Sequence, residues 1–278
     1  RQAQHWARKR GVPVAASLHT RFETYFQYYG LGVLRHWAER HLARFYGAAD
    51  LVLVPNRPIA EEFQATHDPD KIRVWSRGVD PAIFSPSLRD QAWRRQLGYG
   101  DSDLIALFFG RIVREKGLAE FARTIEIARG RGLKLRPLVV GHGPHAQAFA
   151  QKLPNANFVG HLSGAALGRA VASADILLNP STTEAFGNVN LEAMSAGLNV
   201  ISPRVASATA LIDHGRNGWL VAPGNVTAMA DVLDMLARNP LLRSQISRGA
   251  VRRAAAFGWH DTLDEIAGHY RELCDRRR

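Results

Sequence analysis

The chain has 278 residues, 46% of them apolar and 22% charged, which is the profile of an ordinary soluble globular protein. Those figures exclude a disordered chain, a fibrous repeat and a disulfide-stapled miniprotein, and the length suits one large domain or two smaller ones. The formal net charge is 36 − 25 = +11, which leaves nucleic acid, an anionic membrane surface and an anionic small substrate open as partners.

Of the 36 basic residues 31 are Arg, scattered over most of the predicted helices, a pattern of compositional bias and solvated side chains rather than of one binding stripe. The single cysteine, Cys274, excludes an intramolecular disulfide, suits a reducing cytosol and reads as inert. No apolar run approaches the roughly 18–20 residues that span a bilayer, and no signal peptide opens the chain.

In chain order, an opening helix starts at Arg1 with no Met, so residue 1 reads as an internal position of a longer chain. Short apolar runs predict strands at 12–18, 51–54, 72–75, 104–109, 136–140, 157–159, 176–178, 199–202 and 218–221. Several lack polar alternation, as expected of parallel strands buried on both faces. Helical stretches fall between them at 31–46, 58–65, 118–131, 164–172, 189–196, 226–238 and 241–256, with a last one at 261–274. Strand and helix alternating this regularly predict a doubly wound α/β architecture. A connector with Asp80, Pro81, Ser85, Pro86 and Ser87 marks a boundary, giving expected domains at 1–86 and 87–258 and a terminal helix at 259–278.

Two motifs carry chemistry. The strand 104–109 ends in Gly110-Arg111, followed by Glu115-Lys116-Gly117 and a helix. Glycine there permits a sharp turn and close approach of a ligand, and two cations at the mouth of a parallel sheet suit a diphosphate. After the strand 176–178 the chain reads Asn179-Pro180-Ser181-Thr182-Thr183-Glu184-Ala185-Phe186-Gly187-Asn188-Val189-Asn190-Leu191-Glu192. Gly187 and Asn188 mark a helix start, where free N–H groups favour an anion, and Glu184 and Glu192 stand eight positions apart on either side of it. Carboxylates for hydroxyls flanking an anion site match the build of a nucleotide sugar.

Gly110-Arg111, Glu115-Lys116-Gly117 and the Glu184-to-Glu192 signature together resemble the donor half of a family 4 retaining glycosyltransferase with the GT-B fold, two Rossmann-like parallel-sheet domains of which the first would here be incomplete. Val52-Leu53-Val54-Pro55, Arg77-Gly78-Val79-Asp80 with Phe84, Val140-Gly141-His142-Gly143-Pro144, Phe158-Val159-Gly160-His161-Leu162 and Gly215-Arg216-Asn217-Gly218 keep the family order, so the resemblance covers nearly the whole chain. It implies that Arg111 and Lys116 hold the donor diphosphate, Glu184 the hydroxyls of the sugar and Glu192 the ribose diol. Backbone N–H groups at Phe186, Gly187, Asn188 and Val189 would cradle sugar and phosphates, and His161 and Leu162 would lie against the base. Ser17-Leu18-His19-Thr20 resembles the family's His-Thr element and places His19 near the donor sugar.

The resemblance further implies transfer of a hexose, with a lean towards mannosyl, to a hydroxyl of a glycan or lipid-linked acceptor, with retention and no protein nucleophile, cofactor or metal. The expected setting is cytoplasmic, with peripheral contact at the inner membrane face as an option and no nucleic-acid partner. Two departures stand out: His142 within Gly-x-Gly-Pro, and Arg204-Val205-Ala206-Ser207-Ala208 in place of a glycine-rich turn. A same-fold epimerase or phosphorylase is the nearest alternative, although no Lys follows Lys152 to hold pyridoxal phosphate; a basic nucleic-acid-binding protein is the alternative from another class.

Asp68-Pro69-Asp70 and Asp101-Ser102-Asp103 have the spacing of a metal-binding Asp-x-Asp, but both precede strands and read as turns. His142 and His145 lack a third ligand, and His36 and His41 do not share a helix face. The stretch 21–46 holds eight of the 24 aromatic residues, namely Phe22, Tyr25, Phe26, Tyr28, Tyr29, Trp37, Phe45 and Tyr46, interleaved with Arg35, Arg40 and Arg44. Core packing and an acceptor or membrane-facing surface both account for it.

Overall fold

The computed structural model describes residues 2–21, 30 and 32–275. Phe22, Tyr25, Phe26, Tyr28 and Tyr29 of the aromatic stretch lie outside the described residues. By density of contacts the chain divides into two units: residues 1–78, 183–186 and 257–278 form the first, and 79–182 with 187–256 the second.

The first unit begins with α1 (Gln2–Lys9), β1 (Ala15–Ser17), α2 (Arg35–Gly47), β2 (Leu51–Val54), α3 (Arg57–Gln64) and β3 (Ile72–Val74). The three strands are parallel in the order β1-β2-β3. β2, the continuous apolar run Leu-Val-Leu-Val, is buried at all four positions, as a central parallel strand must be. Asn56, two residues past that strand, starts α3 by accepting from the Ile59 N–H (3.0 Å), leaving its amide to donate to the Ala185 carbonyl (2.9 Å). Tyr46 packs edge-on against Phe45 and Phe63, so part of the aromatic stretch is core, while Trp37 is 61% exposed.

The second unit runs α4 (Gln91–Gln96), β4 (Leu104–Phe109), α5 (Leu118–Gly130), β5 (Leu135–Val140), α6 (Ala146–Lys152), β6 (Asn157–Phe158), α7 (Gly164–Ala172), β7 (Ile176–Leu178), α8 (Asn188–Ser195), β8 (Asn199–Pro203), α9 (Ala206–Thr209), β9 (Trp219–Val221), α10 (Val226–Arg238) and α11 (Pro240–Ala254). The chain then returns to the first unit as α12 (Trp259–Asp275), whose Trp259 packs directly on the backbone of Gly78; a Cβ there would fall 2.6 Å from the indole. The short helices α4, α6 and α9 carry too few turns to show a periodic apolar face, and the sequence pattern leaves them as connections.

All pairings in the second sheet are parallel, in the order β6-β5-β4-β7-β8-β9. Counted from its own first strand this is 3-2-1-4-5-6, the doubly wound Rossmann order, and the strand order reverses between β4 and β7. A crevice opens at the carboxyl ends of the strands at that point. Beneath it Phe108, Phe121, Phe149 and Phe158 form a chain of edge-to-face contacts with centroids 5.3–5.8 Å apart, sealing helices α5 and α6 onto the sheet.

The opposite end of the sheet corrects the reading of the remaining arginines as solvated. Arg94 is 1% exposed and donates to the carbonyls of Ser173 (2.8 Å) and Asp103 (2.7 Å) and to Asp175 Oδ2 (3.3 Å). Asp175 also receives the Ile105 N–H (2.8 Å) and the Arg89 guanidinium (2.6 Å), so one carboxylate ties α4, β4 and β7 together. The aspartate pairs serve turns: Asp68 accepts from Asp70 N, Asp103 from Gly100 N, and Asp101 pairs with Arg95. Among the described residues no helix is long and apolar enough to cross a membrane.

Candidate functional site

In the second unit the turns after β4 and β5 are built against each other. Gly110 N donates to the Val140 carbonyl (3.0 Å), Ile112 N to His142 O (3.0 Å) and Gly141 N to Gly160 O (2.7 Å). A side chain on Gly141 would meet the Gly110 carbonyl, and one on Gly143 would meet that of Ile112. These two glycines of Val-Gly-His-Gly-Pro are therefore demanded by backbone-to-backbone packing, and the intervening His142 is carried outward, exposed. Gly117 does the same on the other flank: its φ of 74° is left-handed, and a Cβ would fall 2.8 Å from Pro180.

The result is a pocket of about 260 Å³ lined by Phe109, Gly110, Arg111, Val140, Gly141, His142, His161, Leu162, Leu167, Val189 and Glu192. It sits on the carboxyl ends of β4 and β5, where a doubly wound sheet holds its ligands. Five residues predicted as donor-binding thus meet in one pocket: Arg111, His161, Leu162, Val189 and Glu192. Lys116, Gly187 and Asn188 belong to the same unit without lining that pocket. Glu184, Phe186 and His19 belong to the first unit. The Phe186 ring is buried against Phe257 (6.2 Å), a packing role for its side chain.

Helix α8 begins at Gly187, whose φ of 88° needs glycine, and no side chain caps it. Asn190 N donates to the Gly187 carbonyl (2.9 Å), and the remaining N–H groups of the first turn, with the helix dipole, favour an anion. The turn before α8 is held by a buried network. Asn179 donates from Nδ2 to Asn190 Oδ1 (2.8 Å), Asn190 donates to Ser202 Oγ (3.4 Å), Ser181 N donates to Asn179 Oδ1 (3.2 Å), and Ser181 Oγ reaches the Glu115 carbonyl (3.4 Å). One set of bonds therefore fixes the start of α8 and the 3₁₀ turn Arg114–Lys116 that carries Lys116. Asn179, Ser181 and Asn190 escaped functional assignment from sequence, because asparagine at a strand end reads first as turn chemistry.

Glu192 lies one turn inside α8, and burial pushes its carboxyl from 4.5 up to about 7. A ligand hydroxyl pair that donates to it would offset the lost hydration. In the first unit, His19 follows β1 and Arg77 follows β3. The Arg77 guanidinium donates to His19 Nδ1 and lies over the Trp75 ring, 4.4 Å from its centroid. His19 is held below its ordinary pKa, first by burial and then by the Arg77 charge. Among the described residues no group of three or more His, Cys, Asp or Glu could hold a metal ion.

The chain matches the model "Glycosyl transferases group 1" over residues 103–239 and "Glycosyltransferase Family 4" over residues 2–83. It is 33% identical over 275 residues to a GDP-mannose-dependent α-mannosyltransferase of Mycolicibacterium smegmatis, an alignment covering 98% of this chain and 70% of that protein. It is 33% identical over 225 residues to the D-inositol 3-phosphate glycosyltransferase of Stackebrandtia nassauensis, covering 76% of this chain, and 30% identical over 271 residues to a sulfoquinovosyl transferase of Arabidopsis thaliana, covering 94%. The chain spans about half the length of these two relatives, 51% and 52%. Among solved structures, Anabaena HepE with UDP and glucose superposes with a TM-score of 0.79 at 22% identity, covering 96% of this chain and 74% of that one. Sucrose-phosphate synthase of Thermosynechococcus elongatus gives 0.82 at 20%, covering 98% and 71%; both likenesses speak for the fold. With two parallel sheets, the Rossmann crossover and a family match along both units, the chain belongs to the family 4 glycosyltransferases, nucleotide-sugar-dependent enzymes of the GT-B fold.

Proposed function

We propose that the protein transfers a hexose from a nucleoside diphosphate sugar to an acceptor hydroxyl with retention of configuration. The observation that carries the reading is the pocket at the Rossmann crossover, which brings Arg111, His161, Leu162 and Glu192 around one volume of about 260 Å³. Arg111 and Lys116 offer the diphosphate a planar fork and a point charge, and the uncapped start of α8 adds oriented N–H groups. Together these neutralise the leaving group as the glycosidic bond breaks, so the charge is met by the protein without a metal. Glu192 takes the ribose diol and the loop at His161 and Leu162 takes the base.

By their match to the family's motifs, Glu184 and His19 serve the hydroxyls of the sugar. No side chain is assigned as a covalent nucleophile; the departing phosphate assists attack on the same face. Mannose on guanosine diphosphate is the preferred donor in this reading, supported by the similarity to the mycobacterial mannosyltransferase.

For the acceptor, the first unit offers a hollow of about 430 Å³ with an apolar floor of Leu18, Leu42, Tyr46 and Phe63 and a charged rim of Arg21, Arg40 and Glu62. That combination suits an amphipathic, lipid-linked acceptor. Exposed Val33, Leu34 and Trp37 at the start of α2, with Arg40 and Arg44 following, support peripheral contact with an anionic membrane on the cytoplasmic face. A panel of nucleotide sugars tests the function: one donor should raise the melting temperature and be turned over with retention, while transfer by Glu184→Ala should be lost. Turnover retained in Glu184→Ala would refute its role, and a panel without a stabilising donor would refute the function.

A further inference from the structure

The cluster at the carboxyl ends of β1 and β3 has an order that the roles above do not explain. Trp75, directly after β3, is a platform: Arg77 lies over its ring at 4.4 Å and His19 meets it edge-on, with centroids 5.6 Å apart and planes at 86°. The indole N–H is buried and, among the described residues, finds no partner, so Trp75 is placed for its ring rather than for a hydrogen bond of its own. Arg77, held over that ring, aims an N–H at His19 Nδ1.

Arginine can only donate, and it stays charged throughout the working range. Nδ1 therefore accepts and carries no proton, and the ring's single proton resides on Nε2. Protonating Nδ1 would set two donors and two positive charges against each other. We propose that Arg77 is a positioning residue that holds His19 as a neutral, Nε2-protonated hydrogen-bond donor. His19 then offers an N–H to an oxygen of the sugar and serves as neither general base nor general acid. Burial and the Arg77 charge, both lowering the His19 pKa, act in the same direction. The use of that N–H in transfer rests on the glycosyltransferase reading; the tautomer does not.

Long-range proton–nitrogen correlation spectra of the ¹⁵N-labelled chain test the tautomer, with the His19 signals identified by their loss in His19→Gln. The expected result is an unprotonated Nδ1 and a protonated Nε2 in the wild type, a mixture of tautomers in Arg77→Met, and recovery of the single tautomer in Arg77→Lys, which restores a donor. A protonated Nδ1 in the wild type, or an unchanged tautomer in Arg77→Met, would overturn the proposal. Should Arg77→Met fail to fold, the wild-type and His19→Gln spectra still decide. In a transfer assay Arg77→Met should lower kcat about tenfold with donor KM little changed, the loss of roughly one oriented hydrogen bond. A wild type inactive with every donor sinks the glycosyltransferase reading and leaves the tautomer to be judged on the spectra.

Discussion

The two units build functional positions by different means. In the second, a six-stranded parallel sheet makes the crevice through its topology, and glycine-lined turns bring backbone within reach of a ligand. In the first, a three-stranded sheet places His19 and Arg77 on separate strand ends, and an aromatic ring aligns them. One site is shaped by main chain and the other by side-chain stacking. Each is vulnerable in its own way: the first kind to a single methyl group or a lost buried hydrogen bond, the second to the loss of one oriented donor.

The largest effect should fall on the second unit's frame. Arg94→Ala leaves Asp175 partly buried with one of its cations gone and takes the Arg94 donor from the carbonyls of Ser173 and Asp103, and a denaturant titration should show a loss of about 3–5 kcal/mol. A loss below about 1 kcal/mol would mean that Arg89 alone holds that end of the sheet.

A pH series probes the pocket wall next. The folded-state pKa of Glu192 lies above its ordinary 4.5, at about 7, so between those values the folded chain binds the extra proton. Its contribution to stability is full below pH 4.5 and is lost as pH rises through about 7, by at most about 3 kcal/mol. Glu192→Gln, permanently neutral, should flatten that part of the stability profile, as read from thermal melts across the range. An unchanged profile would show that the carboxyl is better hydrated than its burial implies.

Removing one member of the buried amide network should have a smaller effect. Asn190→Ala strands the Asn179 amide, at a cost of about 1–3 kcal/mol, and loosens the start of α8. Calorimetry should then show nucleotide diphosphate binding weakened more than stability alone accounts for. Binding at wild-type strength would separate the network from the anion site.

Much of the second unit is legible in the sequence. Its strands are continuous apolar runs, and their alternation with helices leads to the doubly wound sheet without further information. The turn glycines announce the crevice, and Arg111 and Glu192 are readable from the motifs around them. Less legible are residues whose meaning depends on tertiary partners. Arg94 looks like any helix-surface arginine until Asp175 and two carbonyls, nine to 81 residues away, close around it. Asn179 and Asn190 look like turn and helix-start residues until they are seen bonded to each other. Arg77 is spelled out in a motif, yet its partner His19 lies 58 positions earlier, and only the register β1-β2-β3 brings the two strand ends near. Spacing along the chain also hides a division: Glu184 and Glu192, eight positions apart, are grouped with different units.

The central claim is that the crossover pocket of the second unit receives a nucleoside diphosphate. Titration calorimetry of the chain with guanosine and uridine diphosphates, on the wild type and on Arg111→Ala and Lys116→Ala, tests it most directly. At least one diphosphate should bind, and each substitution should weaken it tenfold or more, about 1.4 kcal/mol, while the corresponding nucleoside without phosphates loses far less. Diphosphate binding of equal strength in all three proteins would contradict the account.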